Sequence, residues 1–438
     1  MSWMNFFTDP VLRAPCWGTL FMCIASSLMG VLLFLKKKTL LSESLSHATY
    51  PGVVIGSLLL GLFFPGCEEW SFLFVLVGAF ASSLLALKMI DFLQEKQKMG
   101  PDAALCFVLA LFFGVGIVAT SLLQTILPVK RAQIQMLLFG QAATMTDVHI
   151  YLYGALAVFV SFVFYLTFHQ IQALSFDRLF SESIGLKVKW LEKILFALLL
   201  FSLILGIRSV GVVLMSGMVI APAVAARQWT NHLYKMLFLA ALFGALSGLL
   251  GNALSVIGTI ALSTEEERLT LPTGPMIVLI GCVFAFLSLA FAPERGWAFR
   301  KLRVGTFRLR CLEENMLKGI WKKGPLSKSS LLSSFGISPF TLFLVLRRLL
   351  RHGWIVKERS LYNLTVDGHR KATSIVRLHR LWELYLADTL KLHLEKVHKT
   401  AEEMEHILTP DIEERLTKLL SNPSRDPHQQ PIPKKVGV

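Results

Sequence analysis

Arg295-Gly-Trp-Ala-Phe-Arg-Lys-Leu-Arg303 is the stretch at which the chain changes character. Before it, apolar runs follow one another from Trp17 to Pro293. After it the sequence is polar and rich in His and Glu. Of the 438 residues, 54% are hydrophobic and 17% charged. A soluble domain has roughly 45–50% apolar and about 25% charged residues, so the first part reads as inserted in a membrane. The net charge of +15 is unevenly placed. Residues 296–380 carry 18 basic and 4 acidic side chains, whereas 381–438 carry 8 and 10. A basic module followed by an acidic one suits a polyanion partner for the first and a cation for the second.

Working back from the junction, apolar runs fall at about 17–35, 51–65, 71–90, 103–126, 148–168, 191–207, 209–226, 234–262 and 274–292. A helix needs roughly 20 apolar residues to cross the hydrocarbon core. The run 51–65 is short and bounded by Gly and Pro, which points to a broken or half helix and sets the count at eight or nine. Nine crossings satisfy the positive-inside rule. Lys36–Lys38, Lys96, Lys98, Lys187, Lys189, Arg227 and Arg295–Arg303 share one side; Glu68, Glu69 and Glu265–Glu267 share the other. Lys130 and Arg131 run against the scheme. The tail is then expected in the cytoplasm of a multi-pass protein of a bacterial inner membrane. The six cysteines have no paired spacing, and no Gly-x-x-x-x-Gly-Lys-Ser/Thr occurs, so the chain does not cradle a nucleotide through a P-loop and must borrow its energy source.

Four segments go beyond generic membrane character. In Leu41-Ser-Glu-Ser-Leu-Ser-His-Ala-Thr-Tyr-Pro-Gly52, Glu43 and His47 are four apart and share a helix face. A carboxylate and an imidazole beside a span are costly unless they line a polar path or bind a cation. Phe176-Asp-Arg-Leu-Phe-Ser-Glu-Ser-Ile-Gly185 is a short amphipathic segment suited to docking a soluble partner. Arg208–Arg227 is rich in small residues with an interior Pro, and Leu271-Pro-Thr-Gly-Pro-Met-Ile-Val278 opens the last run. His149, His169 and His232 stand isolated and read as interfacial or packing residues.

These four segments, in this order, resemble the permease subunits of ATP-binding cassette importers for zinc, manganese and iron. The resemblance covers roughly residues 10–293. It implies an all-α polytopic permease paired with a second permease subunit, fed by an extracytoplasmic metal-binding lipoprotein and driven by a separate ATPase subunit; the chain is then no enzyme itself. It assigns Glu43, where the family usually has Asp, and His47 to the metal pathway, and Phe176, Asp177 and Gly185 to the ATPase contact.

Downstream, helices are expected at about Leu312–Lys322 and Ser327–Ser334 and from Ser338-Pro339 to His352, followed by a hairpin from Trp354 to Leu364. That order gives a winged helix-turn-helix, whose third helix enters a major groove. Arg347, Arg348, Arg351, Lys357 and Arg359 are candidate phosphate contacts, with Ser338 and Thr341 as the polar readers near the start of the third helix. His379 and Glu383 share one helical face at i, i+4; His398, Glu402, Glu405 and His406 form a second stripe. Imidazole and carboxylate without thiolate suit manganese, ferrous iron or zinc.

From about Cys311 to Pro433 the chain is similar to the metal-dependent repressors of the diphtheria toxin repressor and manganese transport regulator family. By that resemblance His379, Glu383 and His398 are ancillary ligands, and Glu402, Glu405 and His406 form the primary site. Asn315 stands where the family has Asp or Met, and Lys318 where manganese-type members have Glu, which weakens or alters the primary site. The expected organisation is a transmembrane permease (1–294), a basic linker (295–310) open to proteolytic release of the tail, a winged helix DNA-binding domain (311–370) and a helical metal-binding and dimerisation domain (371–438). The leading expectation is an importer of a divalent transition metal, iron or manganese with zinc close behind, fused to a metal-dependent repressor of promoter DNA. The alternative is a tail that senses metal and inhibits transport directly without binding DNA.

Overall fold

The computed structural model describes residues 5–63, 71–126, 138, 140, 142–262, 271–391, 406 and 410–434. It forms two compact units, Met1–Arg300 and Lys301–Val438.

The first unit is helical: α1 (Asn5–Thr8), α2 (Arg13–Leu35), α3 (Thr39–Phe63), α4 (Ser71–Glu95), α5 (Pro101–Ile126), α6 (Asp147–Leu166), α7 (Phe168–Phe176), α8 (Arg178–Ser183), α9 (Val188–Val210), α10 (Val212–Trp229), α11 (Leu233–Leu262) and α12 (Thr273–Phe291). Nine of these, all but α1, α7 and α8, are long and apolar enough to cross a membrane among the described residues. Their outward faces carry large apolar side chains such as Leu85, Val118, Phe159 and Phe286. That is the pattern lipid requires, since a lipid-facing helix keeps its apolar side chains outward. Helices α2 and α3 are the most deeply buried and form the centre of the unit.

The run 51–65 is no half helix. Helix α3 starts at Thr39, twelve residues before Pro51, and continues through it to Phe63. The polar residues 42–49 concealed this first half, because their hydroxyls make the sequence look unlike a span. The structure shows how they are accommodated: Ser46 Oγ donates to the Ser42 carbonyl and Thr49 Oγ1 to the Ser46 carbonyl. Ser44 Oγ reaches the Leu105 carbonyl of α5 at 2.8 Å. Hydroxyls thus bond to backbone carbonyls rather than to absent water.

Small residues set the tightest helix contacts. A Cβ on Gly52 of α3 would lie 2.1 Å from the Gly78 carbonyl oxygen of α4, and one on Gly56 would lie 2.5 Å from that of Phe74. Only glycine allows two backbones to approach this closely.

The second unit carries most of α13 (Trp297–Lys323), then β1 (Leu326–Ser327), α14 (Lys328–Phe335), α15 (Pro339–Arg351), β2 (Ile355–Glu358), β3 (Leu361–Leu364), α16 (Val366–Asp388) and α17 (Pro410–Leu419). The stretch 295–310, expected as a linker, is helical from Trp297 and runs unbroken into the helix expected at Leu312. Arg, Leu, Phe and Lys are compatible with helix whatever their charge, and between Gly296 and Gly324 nothing stops the turn. Ser327 caps α14, Gly336 (φ +58°) ends it, and Ser338 caps α15 with Pro339 in its first turn. Helices α14 and α15 meet at 115°, within the range of a helix-turn-helix. The sheet order is β1-β3-β2, antiparallel throughout, with Ile355 opposite Leu364 and Glu358 opposite Leu361. The core joins Met316, Leu317 and Ile320 of α13 with Leu342, Val345 and Leu349 of α15 and Ile375 of α16.

Candidate metal route and metal-sensing site

In the first unit, α3 carries Glu43 and His47 one turn apart, about one and two turns from its start. Glu43 is half-buried and His47 buried. The His47 ring packs edge-on against Phe113 of α5, with centroids 4.8 Å apart. Its Nδ1 has no hydrogen-bond partner among the described residues. One turn further, Tyr50 Oη and Thr120 Oγ1 of α5 lie 2.7 Å apart. An imidazole nitrogen without a partner inside a span, beside a carboxylate, is an arrangement that a passing cation satisfies. His149, by contrast, is a capping residue: its Nδ1 accepts from the Thr146 backbone N–H at 3.2 Å.

The segment 176–185 forms a corner outside the spans. Asp177 Oδ1 accepts from the Leu179 and Phe180 backbone N–H groups and starts α8. Gly185, at φ +81°, ends the turn that follows. Phe176, Leu179, Phe180 and Ile184 are all exposed, an apolar patch on a polar frame. Arg178 ties this corner to Glu192 of α9, which also meets Lys36 at 3.2 Å.

In the second unit Ser338 and Thr341 stand at the start of α15, with Ser338 exposed. Ser338 Oγ accepts from the Thr341 backbone N–H, and the two hydroxyls lie 2.9 Å apart. They close the helix end, and Phe340, Phe343, Arg347, Leu350 and Arg351 are exposed further along it. Arg348 is engaged by buried Glu313 at 2.7 Å. Lys357 and Arg359 are exposed on the wing, with Arg359 at φ +55° in its turn.

Two buried imidazole–carboxylate pairs lie further in. His406 Nδ1 is 2.6 Å from Glu314 Oε2 of α13, and Lys371 of α16 approaches the other oxygen. Burial alone would raise the Glu314 pKa, but the hydrogen bond with His406 and the charge of Lys371 outweigh it and hold the carboxyl below its usual range. The adjacent Glu313 goes the other way: burial raises it despite Arg348 and His352. Asn315 Oδ1 is a buried atom with no partner among the described residues. A carboxylate that holds one imidazole nitrogen fixes the ring for ligation through the other, a usual support for a metal ligand. Asn315 and His406 carry the oxygen and nitrogen donor types that a divalent cation takes.

The second pair is His379 and Glu383 on α16, with Nε2 3.1 Å from Oε1. Lys318 of α13 joins it, its Nζ 3.3 Å from His379 Nδ1. Lys318, expected to alter the primary site, sits against the expected ancillary ligands. His398, Glu402 and Glu405 lie outside the described residues, and among those described no three such side chains gather. Helix α16 is held to the end of the chain by Arg377, which meets Glu413, Thr417 and the Pro433 carbonyl.

Glu314 was not anticipated. Its one sequence signal is a carboxylate beside Asn315, and the partner stands 92 positions away.

Residues 8–292 match the family described as ABC 3 transport family. The chain belongs to that family. Residues 365–434 match the iron dependent repressor, metal binding and dimerisation domain. A probable metal transport system membrane protein of Chlamydia trachomatis is 34% identical over 98% of this chain and 97% of its own length. A zinc transport system membrane protein of Treponema pallidum is 34% identical over 68% of this chain and 95% of its own. The solved structure of PsaBC from Streptococcus pneumoniae, in complex with Fab, shares the fold at a TM-score of 0.57 and 23% identity, over 68% of this chain and 98% of that one. The chain is thus a multi-pass ABC 3 permease with a C-terminal repressor-type domain, and as a permease subunit it is not itself an enzyme.

Proposed function

We propose that this permease carries a divalent transition metal into a bacterial cell through its inner membrane, past Glu43 and His47, and that its cytoplasmic tail senses the same metal and represses transcription. Iron and manganese are the favoured cargoes, with zinc close behind, because the donors are imidazole and carboxylate. The corner bearing Phe176, Asp177 and Gly185 docks a separate ATPase subunit. A second permease subunit completes the route, and an extracytoplasmic lipoprotein delivers the ion.

In the tail, Asn315 and His406 hold the resident metal, with Glu402 and Glu405 as further ligands. The metal supplies positive charge that draws these donors together. Glu314 fixes the His406 ring. Asn315 and Glu314 belong to the first helix of the winged-helix module, so a metal bound there favours the state in which that module is held to the metal-binding domain. Binding shifts the equilibrium only through its greater affinity for that state. Arg347, Arg351, Lys357 and Arg359 then meet phosphates, and Ser338 and Thr341 set the start of the helix that enters the groove.

The observation that carries this reading is the 2.6 Å contact of buried His406 with Glu314 across two parts of the tail. The test is DNA binding by the whole chain in lipid nanodiscs, using the DNA upstream of its own gene. Manganese or ferrous iron should tighten binding, and His406→Ala should abolish the metal effect. Binding that ignores metal, or none at all, would end the repressor reading and leave direct inhibition of transport as the tail's role.

A further inference from the structure

We infer that the ammonium of Lys318 permanently occupies the cation's place at His379 and Glu383, so the tail holds metal at one site and carries its own positive charge at the other. This rests on the metal-sensing reading above.

All three side chains are buried: Lys318 is 6% exposed, His379 4% and Glu383 2%. They form a line, Lys318 Nζ to His379 Nδ1 at 3.3 Å and His379 Nε2 to Glu383 Oε1 at 3.1 Å. An ammonium has only protons to give, so Nδ1 must accept. The imidazole is then neutral, with its proton on Nε2, and donates it to the Glu383 carboxylate. The line reads cation, neutral ring, anion. A metal ligates imidazole through a lone pair, and a neutral ring has one. Here that lone pair faces Lys318. A divalent ion at His379 would have to bring two positive charges beside a buried third, where like charges repel far more strongly than in water.

The placement gives the lysine a role. Lys318 lies on α13, the first helix of the winged-helix module, whereas His379 and Glu383 lie on α16, which leads into the metal-binding domain. A cation bridging these helices does without metal what a metal would do there. Metal is then needed only at Asn315 and His406, and the tail responds along a single-site curve without cooperativity between two ions.

The test counts manganese on the whole chain, purified in detergent, stripped, reloaded and freed of excess. Lys318→Glu should hold about one more ion per chain than the wild type, and His379→Gln added to it should remove that ion. His379→Gln alone should leave the wild-type count unchanged. Equal counts for wild type and a Lys318→Glu chain of the same elution volume overturn the inference. Loss of an ion from a His379→Gln chain of unchanged elution volume also overturns it, and does so even if Lys318→Glu does not fold. His406→Ala separates the two readings: if it loses no manganese, the sensing reading falls, while the His379 comparison still decides the role of Lys318.

Discussion

A buried imidazole whose nitrogen finds no protein partner is costly inside a span, and His47 is such a residue among those described. Its replacement by Ala should reduce manganese uptake into proteoliposomes containing the whole transporter to background, with the amount of permease unchanged. His149→Ala, which removes only a helix cap, should leave uptake intact. In the tail, Glu314→Ala should weaken manganese affinity by roughly 10–100-fold, read by titration calorimetry, since a carboxylate that orients a ligating histidine typically contributes that much. Glu43 and His47 were legible from their spacing because both lie on one helix and a period of 3.6 relates them. Glu314 was not, because its partner His406 comes from a distant segment and no local period links them. Lys318 was legible as a misfit, yet its partners were not: only the packing of α13 on α16 shows which imidazole it meets.

Elements raise a different question, that of where helices begin, end and touch. Apolar runs locate the spans, whereas composition alone cuts polar α3 and basic α13 short. Hydroxyls that bond to backbone carbonyls and lysines that face water both hide a helix from a composition argument. Close contact also leaves little trace in sequence beyond the spacing of Gly52 and Gly56. Gly52→Val should destabilise the purified protein by about 1–3 kcal/mol or more, because the added Cβ meets a carbonyl oxygen and backbone must move. A thermal melt in detergent reads this. At the corner before α9, Asp177→Ala removes two backbone contacts and should cost α8 about 1 kcal/mol. The sharper readout is functional: transport-stimulated ATP hydrolysis should drop while binding of the ion outside is preserved.

At the scale of the whole molecule, the proposed repression would require the tail to meet DNA close to the bilayer or be freed from it. The exposed stretch 299–308 is the accessible place for a cut, although it is helical rather than loose. We expect an immunoblot against the C-terminus in the native cell to show a tail-sized band; only full-length chain would mean that the tail works in place. The permease unit imposes its own constraint. Where Gly52 and Gly56 of α3 meet Gly78 and Phe74 of α4, backbone lies directly against backbone. On the opposite edge of α3 the contacts with α5 run through side chains instead: the His47 ring leans on Phe113 and Tyr50 clasps Thr120, so an ion passing His47 as proposed would meet groups that can turn aside.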